Sequence, residues 1–159
     1  MTYPFQLEFE EVLPGFNIGP NQSKPTPLYP TAMCVINEQP QIPLKDRVIQ
    51  DSQAWDITFY WRVWGVVSNA ITPDHWDCNI YLLRLDKPGV WSKTQPLAYS
   101  VATPGPDDYM KQITVPPSNT AGGVPLGVYK LHTSVDLIGT GIYPVTMVGE
   151  GPVMKFYKP

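Results

Sequence analysis

Charge is scarce in this chain of 159 residues, with 11 basic and 14 acidic side chains making up 16% of the sequence at a formal net charge of -3. An average soluble domain carries about 25% charged residues. A chain this poor in cations has no basic footprint for phosphate, which excludes nucleic acid as the expected partner. Good helix formers are equally thin, at 6 Ala and 5 Glu against 15 Val, 10 Ile and 12 Thr. That imbalance excludes a helical bundle or coiled coil and favours strands. Two cysteines, Cys34 and Cys78, are too few for a disulfide scaffold, and no Cys-x-x-Cys pairing surrounds them. The expectation is a pair of buried, reduced thiols. The longest uncharged stretch, Gln112 to Tyr129, is broken by Pro116, Pro117, Gly122, Gly123, Pro125 and Gly127, so it reads as a turn region and not a membrane span. The opening residues, Met1 to Glu8, have no basic segment followed by an apolar one. The expectation is therefore no secretion signal and cytoplasmic synthesis, with incorporation into a particle or released assembly as a later step.

Proline and aromatic residues are plentiful. There are 19 prolines, and eight of them fall in the first 43 residues while none falls between Leu44 and Thr72. Each proline removes a ladder donor, so residues 1–43 are expected to form an extended arm that stays out of the interior of a sheet. Within it, Phe5, Leu7 and Phe9 alternate with Gln6, Glu8 and Glu10, the period of a half-buried strand. Residues 44–159 read as the β-sandwich domain. Its clearest strand is Trp55 to Trp64, with Trp55, Ile57, Phe59, Trp61 and Val63 on one face and Asp56, Thr58, Tyr60, Arg62 and Trp64 on the other. Further strands are expected at Trp76 to Leu82, ending or bulging at Leu82-Leu83, and at Leu97–Val101, Met110–Val115, Val128–Leu137, Ile142–Val148 and Val153–Tyr157. About seven short strands with Gly/Pro turns argue for two packed antiparallel sheets.

One local motif sharpens that architecture. Leu126-Gly127-Val128-Tyr129-Lys130-Leu131 resembles the tyrosine corner of immunoglobulin-like sandwiches, in which a tyrosine early in a strand bonds back to the preceding turn. The resemblance covers residues 44–159 and implies an all-β, immunoglobulin-like antiparallel β-sandwich carrying a Pro-rich N-terminal arm. Leu131 stands where antibody domains have a cysteine, so the inter-sheet disulfide of those domains is not implied. An architecture of this kind implies no activity by itself.

Catalytic constellations are not expected. The two histidines, His75 and His132, lie outside any nucleophile or metalloprotease motif. His132 reads as an outward strand residue. A His75-Asp77-Cys78 metal site cannot close from adjacent strand positions that point to opposite faces. Asp107 and Asp108 lack the Asp-x-Asp spacing of a calcium loop and read as solvated turn residues. No metal or cofactor is expected, and a hydrolase would need a pair of perturbed carboxylates in a cleft.

Surfaces remain. Tyr60, Arg62 and Trp64 are of the types enriched in interface anchors, and with Phe5, Leu7 and Phe9 of the arm they are the candidate interface residues. The arm is expected to lie over either its own sandwich, where it would cover the Tyr60–Arg62–Trp64 face, or a neighbour, since an alternating arm strand suits addition to a partner's sheet. The expected function is thus a non-enzymatic structural module that joins copies of itself or a larger particle such as a virion or filament, with protein as the partner. Deleting residues 1–30 is then expected to leave a folded sandwich that no longer associates. The alternative is a carbohydrate- or small-ligand-binding sandwich that uses Trp91 as a stacking platform.

Overall fold

A computed structural model of the chain describes residues 3–11, 17–19, 32–38, 42–43, 48–64, 73–99, 107–139 and 145–159. Twelve strands run through them: β1 (Tyr3–Gln6), β2 (Glu8–Glu11), β3 (Asn17–Gly19), β4 (Met33–Glu38), β5 (Ile42–Pro43), β6 (Val48–Gln50), β7 (Trp55–Trp64), β8 (His75–Arg84), β9 (Val90–Ala98), β10 (Asp107–Val115), β11 (Gly127–Ile138) and β12 (Thr146–Tyr157). No helix occurs among the described residues, and so none is long and apolar enough to cross a membrane.

Period-2 alternation in β7 is answered by burial. Trp55, Ile57, Phe59, Trp61 and Val63 are all buried, and each contributes about 1.5–3 kcal/mol relative to an exposed position. They belong to the first sheet, ordered β1-β4-β7-β10, with β3 on β7 and β5 on β4. The second sheet is ordered β2-β12-β11-β8-β9, with β6 alongside β12. All described pairings are antiparallel except β6 with β12.

The sheets share one core, and aromatic rings bridge them at both ends. At one end Trp61 of the first sheet meets Trp76 of the second edge-on, with centroids 5.4 Å apart, and stacks on Tyr109 at 5.3 Å. At the other end Trp55 packs against Phe156, which in turn meets Tyr129 edge-on at 5.7 Å. Offset and edge contacts of this kind add about 0.5–1.5 kcal/mol beyond area burial. Cys34 and Cys78 lie buried as thiols in this core, Cys34 against the Thr133 hydroxyl at 3.6 Å.

Three expectations change. The first 43 residues do enter the interior of a sheet: β4 is flanked by β1 on one side and β7 on the other. Met33–Glu38 escapes the restriction on proline because it lies within the proline-free interval between Pro30 and Pro40. Five of the twelve described strands come from this segment, whereas about seven strands were expected in all. Secondly, Leu82-Leu83 neither ends nor bulges a strand, since β8 continues in register to Arg84. The bulge sits in β12. Lys130 pairs with Val153 and His132 with Glu150, so Gly151 and Pro152 together oppose Leu131. A bulge is where a residue without an N–H can be accommodated, and the two segments expected at 142–148 and 153–157 therefore join into one strand. Thirdly, β9 begins at Val90, well before Leu97. As the end strand of its sheet it places polar Lys93 and Gln95 on the core side, which hides its alternation.

Candidate functional site

The expected arm residues are held by the chain's own sheets. Phe5 pairs with Cys34 in the first sheet and packs against the core. Leu7, between β1 and β2, is fully buried and donates its amide to the Ala32 carbonyl at 2.7 Å. Phe9 pairs through its backbone with Met147 in the second sheet. Residues 3–11 thus cross from one sheet to the other. Gly149 makes room for the crossing: a Cβ there would lie 2.9 Å from both Leu7 and Phe5 side chains. The Leu7 side chain is part of the core, which corrects its assignment as an interface residue.

The outward face of β7 is likewise not an open surface. Met33, Val35, Asp56 and Thr58 are buried there, and Asn37 donates to Asp56 at 3.4 Å. Tyr60 is half-buried. Arg62 grips Asp108 through both Nε and Nη2, the latter at 2.9 Å, so its charge is already met within the chain. Asp108 accordingly lies in β10 and not in a turn, exposed to solvent while it pairs with Arg62. Trp64 pairs through its backbone with Asn17. The Phe9, Trp64 and Asp107 side chains lie outside the described residues.

Among the described residues, the outer face of the second sheet carries a run of exposed apolar side chains, where register alone assembles rows from distant positions. One row reads Val90, Leu83, Lys130, Val153 across β9, β8, β11 and β12. Its three apolar members are 62%, 41% and 45% exposed, and Tyr81 and Leu85 beside it are 37% and 56% exposed. Lys130 reaches Glu150 in the next row at 3.2 Å. Farther along the face, Asn79 donates to both Ser134 and Asp136 at 2.9 Å and accepts from Thr94 at 2.6 Å. His75 pairs with Asp77 at 3.1 Å. This polar end is satisfied within itself.

Beside the apolar row lies a pocket of about 150 Å³ lined by Arg84, Pro88, Val90, Trp91, Pro125 and Tyr129. Trp91 is half-buried and packs on the core. The Tyr129 ring is buried, and its hydroxyl donates to the Pro125 carbonyl at 2.8 Å. Arg84 is fixed from several sides. It donates to Asp86 through Nε at 2.6 Å and Nη2 at 3.2 Å, and to the Leu126 carbonyl at 2.6 Å. Its guanidinium also lies over the Tyr129 ring, 5.5 Å from the centroid. Gly127 is required at this spot, because its φ is +156° and a Cβ would lie 2.7 Å from Arg84 Nη2. The hydrogen bond between Arg84 and Asp86 holds the arginine above its ordinary pKa and the aspartate below its own.

The core thiols are chemically quiet. Burial raises Cys34 well above the ordinary thiol value and pushes Cys78 up to about 12. Both therefore remain protonated at neutral pH and are poor nucleophiles.

The sequence pointed to Trp91 but not to Arg84, Asp86 or Tyr129 as its neighbours, nor to the row Val90–Leu83–Val153. Single aliphatic residues at outward positions carry no signal until strand register sets them side by side. No protein-family model matches the chain, and comparison with curated proteins and with solved structures gives no match.

Proposed function

We propose that this chain is a non-catalytic assembly module that associates with a second copy of itself through the outer face of its second sheet. The observation that carries the reading is the exposed row Val90, Leu83, Lys130, Val153, flanked by Leu85 and Tyr81. Contiguous exposed apolar surface marks contact sites. The row is also close to self-complementary. A two-fold axis between Leu83 and Lys130 sets Val90 of one copy against Val153 of the other. It sets Leu83 against the aliphatic stem of the opposing Lys130, whose ammonium stays with Glu150.

The β9 and β10 edges are a poorer route. The edge strand β9 carries Pro96, and its core-side Lys93 donates to the Thr114 carbonyl of β10 at 3.0 Å. Lys111 of β10, opposite Phe59, places a second charge on the core side of the neighbouring edge. Proline and inward-pointing charges blunt sheet edges against pairing. The reading includes an immunoglobulin-like framework for the two sheets, supported by the Tyr129 hydroxyl bonding back to Pro125.

Light scattering across a concentration series tests the proposal. The wild-type protein should rise from monomer to dimer mass, and Leu83→Asp should stay monomeric while keeping its strand circular dichroism. A wild-type chain that remains monomeric throughout contradicts it.

A further inference from the structure

Trp91 and its neighbours form a second surface that the association described above does not use, apart from sharing Val90 at the rim. From its size, lining and charge balance we infer that the pocket at Trp91 binds a single neutral pyranose ring.

Size sets the first limit. Sites for drug-sized ligands run from about 300 Å³ upward, whereas a cavity near 150 Å³ holds one six-membered ring. The volume here is about 150 Å³. Lining sets the second. Trp91, Pro88 and Pro125 give an apolar wall, with the half-buried Trp91 ring as its aromatic surface, suited to the C–H face of a sugar ring. Beside that wall stands a guanidinium whose direction is fixed by Asp86, the Leu126 carbonyl and the Tyr129 ring. A donor held in place before the ligand arrives loses little freedom on binding and can meet ring hydroxyls. Asp86 itself does not line the pocket, and its carboxylate acts by accepting from Arg84 and holding that donor in place.

Charge sets the third limit. Arg84 is already offset by Asp86, so the pair presents hydrogen-bonding groups without net charge, and an anionic ligand gains nothing over a neutral one. With a chain net charge of -3 there is also no surrounding field to draw in a phosphate or a nucleotide. A ring that is apolar on one face, hydroxylated at its edge and uncharged satisfies all three conditions.

Nuclear magnetic resonance titration with methyl glycosides of glucose, mannose and galactose at millimolar concentrations tests the assignment on the intact chain. At least one glycoside should give saturable shifts at the Trp91 indole N–H and at the amides of Gly89, Val90 and Gly127. Trp91→Phe should retain affinity within about threefold, and Trp91→Ala should lose about tenfold or more. Asp86→Asn should weaken binding with the fold intact. The same titration on Leu83→Asp separates the two surfaces: glycoside binding should persist there whether or not the wild type dimerises. Absence of saturation by every glycoside, shifts centred away from Trp91, unchanged affinity in Trp91→Ala, or tighter binding of uridine or inorganic phosphate at the same residues would each overturn the inference.

Discussion

Leu7 donates its backbone amide to the Ala32 carbonyl at 2.7 Å, at the point where the chain leaves the first sheet for the second. Its side chain fills the core over Gly149. The N-terminal segment is therefore part of the framework. Leu7→Ala should cost about 2–5 kcal/mol, the usual range for a buried leucine, measured by denaturant unfolding. Removal of residues 1–30 should destabilise the fold far more than it alters association, which reverses the behaviour expected of a detachable arm.

Tyr129 ties β11 to the preceding turn through a single hydroxyl bond to Pro125, while its ring stays packed on Phe156. Tyr129→Phe keeps the ring and deletes the bond. The expected loss is about 1 kcal/mol, or roughly 2–4 °C in Tm for a domain of this size. A variant as stable as wild type would show that the bond contributes nothing.

How far the amino-acid pattern reached can be judged strand by strand. The strands Trp55–Trp64 and Gly127–Ile138 were legible because their inward residues alternate with period 2 and are apolar apart from Thr133. Val90–Ala98 was not, since an end strand exposes part of its inner face and tolerates Lys93 and Gln95 there. Met33–Glu38 was obscured by the prolines around it. At the candidate surfaces, Trp91 stood out by residue type, but Arg84 and Tyr129 are 45 residues apart in sequence number and only the β8–β11 pairing sets them opposite each other. The Tyr60–Arg62–Trp64 face looked open because Asp108, the partner of Arg62, lies 46 residues away.

Asp86 provides a pH test. Its hydrogen bond from Arg84 lowers its pKa below the ordinary aspartate value of 3.8. A depressed carboxylate adds stability that is present above its unfolded value and is lost as pH falls through its folded value. The pair should therefore stay intact throughout the neutral and mildly acidic range and open only below the ordinary aspartate range. A carboxyl-detected titration should place the Asp86 midpoint below 3.8, and Arg84→Met should return it upward. An unshifted midpoint in the wild type contradicts the pairing.

The thiols give an alkaline counterpart. Burial raises Cys78 from 9.0 to about 12. A raised value means stability that is complete below the unfolded pKa and declines as pH rises toward the folded one. Unfolding free energy should fall between pH 9.0 and about 12, and less steeply in a Cys78→Ala chain. At neutral pH neither thiol should react with iodoacetamide until the protein is unfolded. Rapid labelling of the native protein would contradict their burial.

The two-fold contact makes a definite geometric demand: Val90 of one copy faces Val153 of the other. Mixing a Val90→Cys chain with a Val153→Cys chain under mild oxidation tests it most directly, because the native thiols are buried. A mixed disulfide dimer should form faster than either chain forms a dimer with itself. Equal rates for all three dimers, or no cross-link at concentrations where light scattering reports a dimer, would contradict the account.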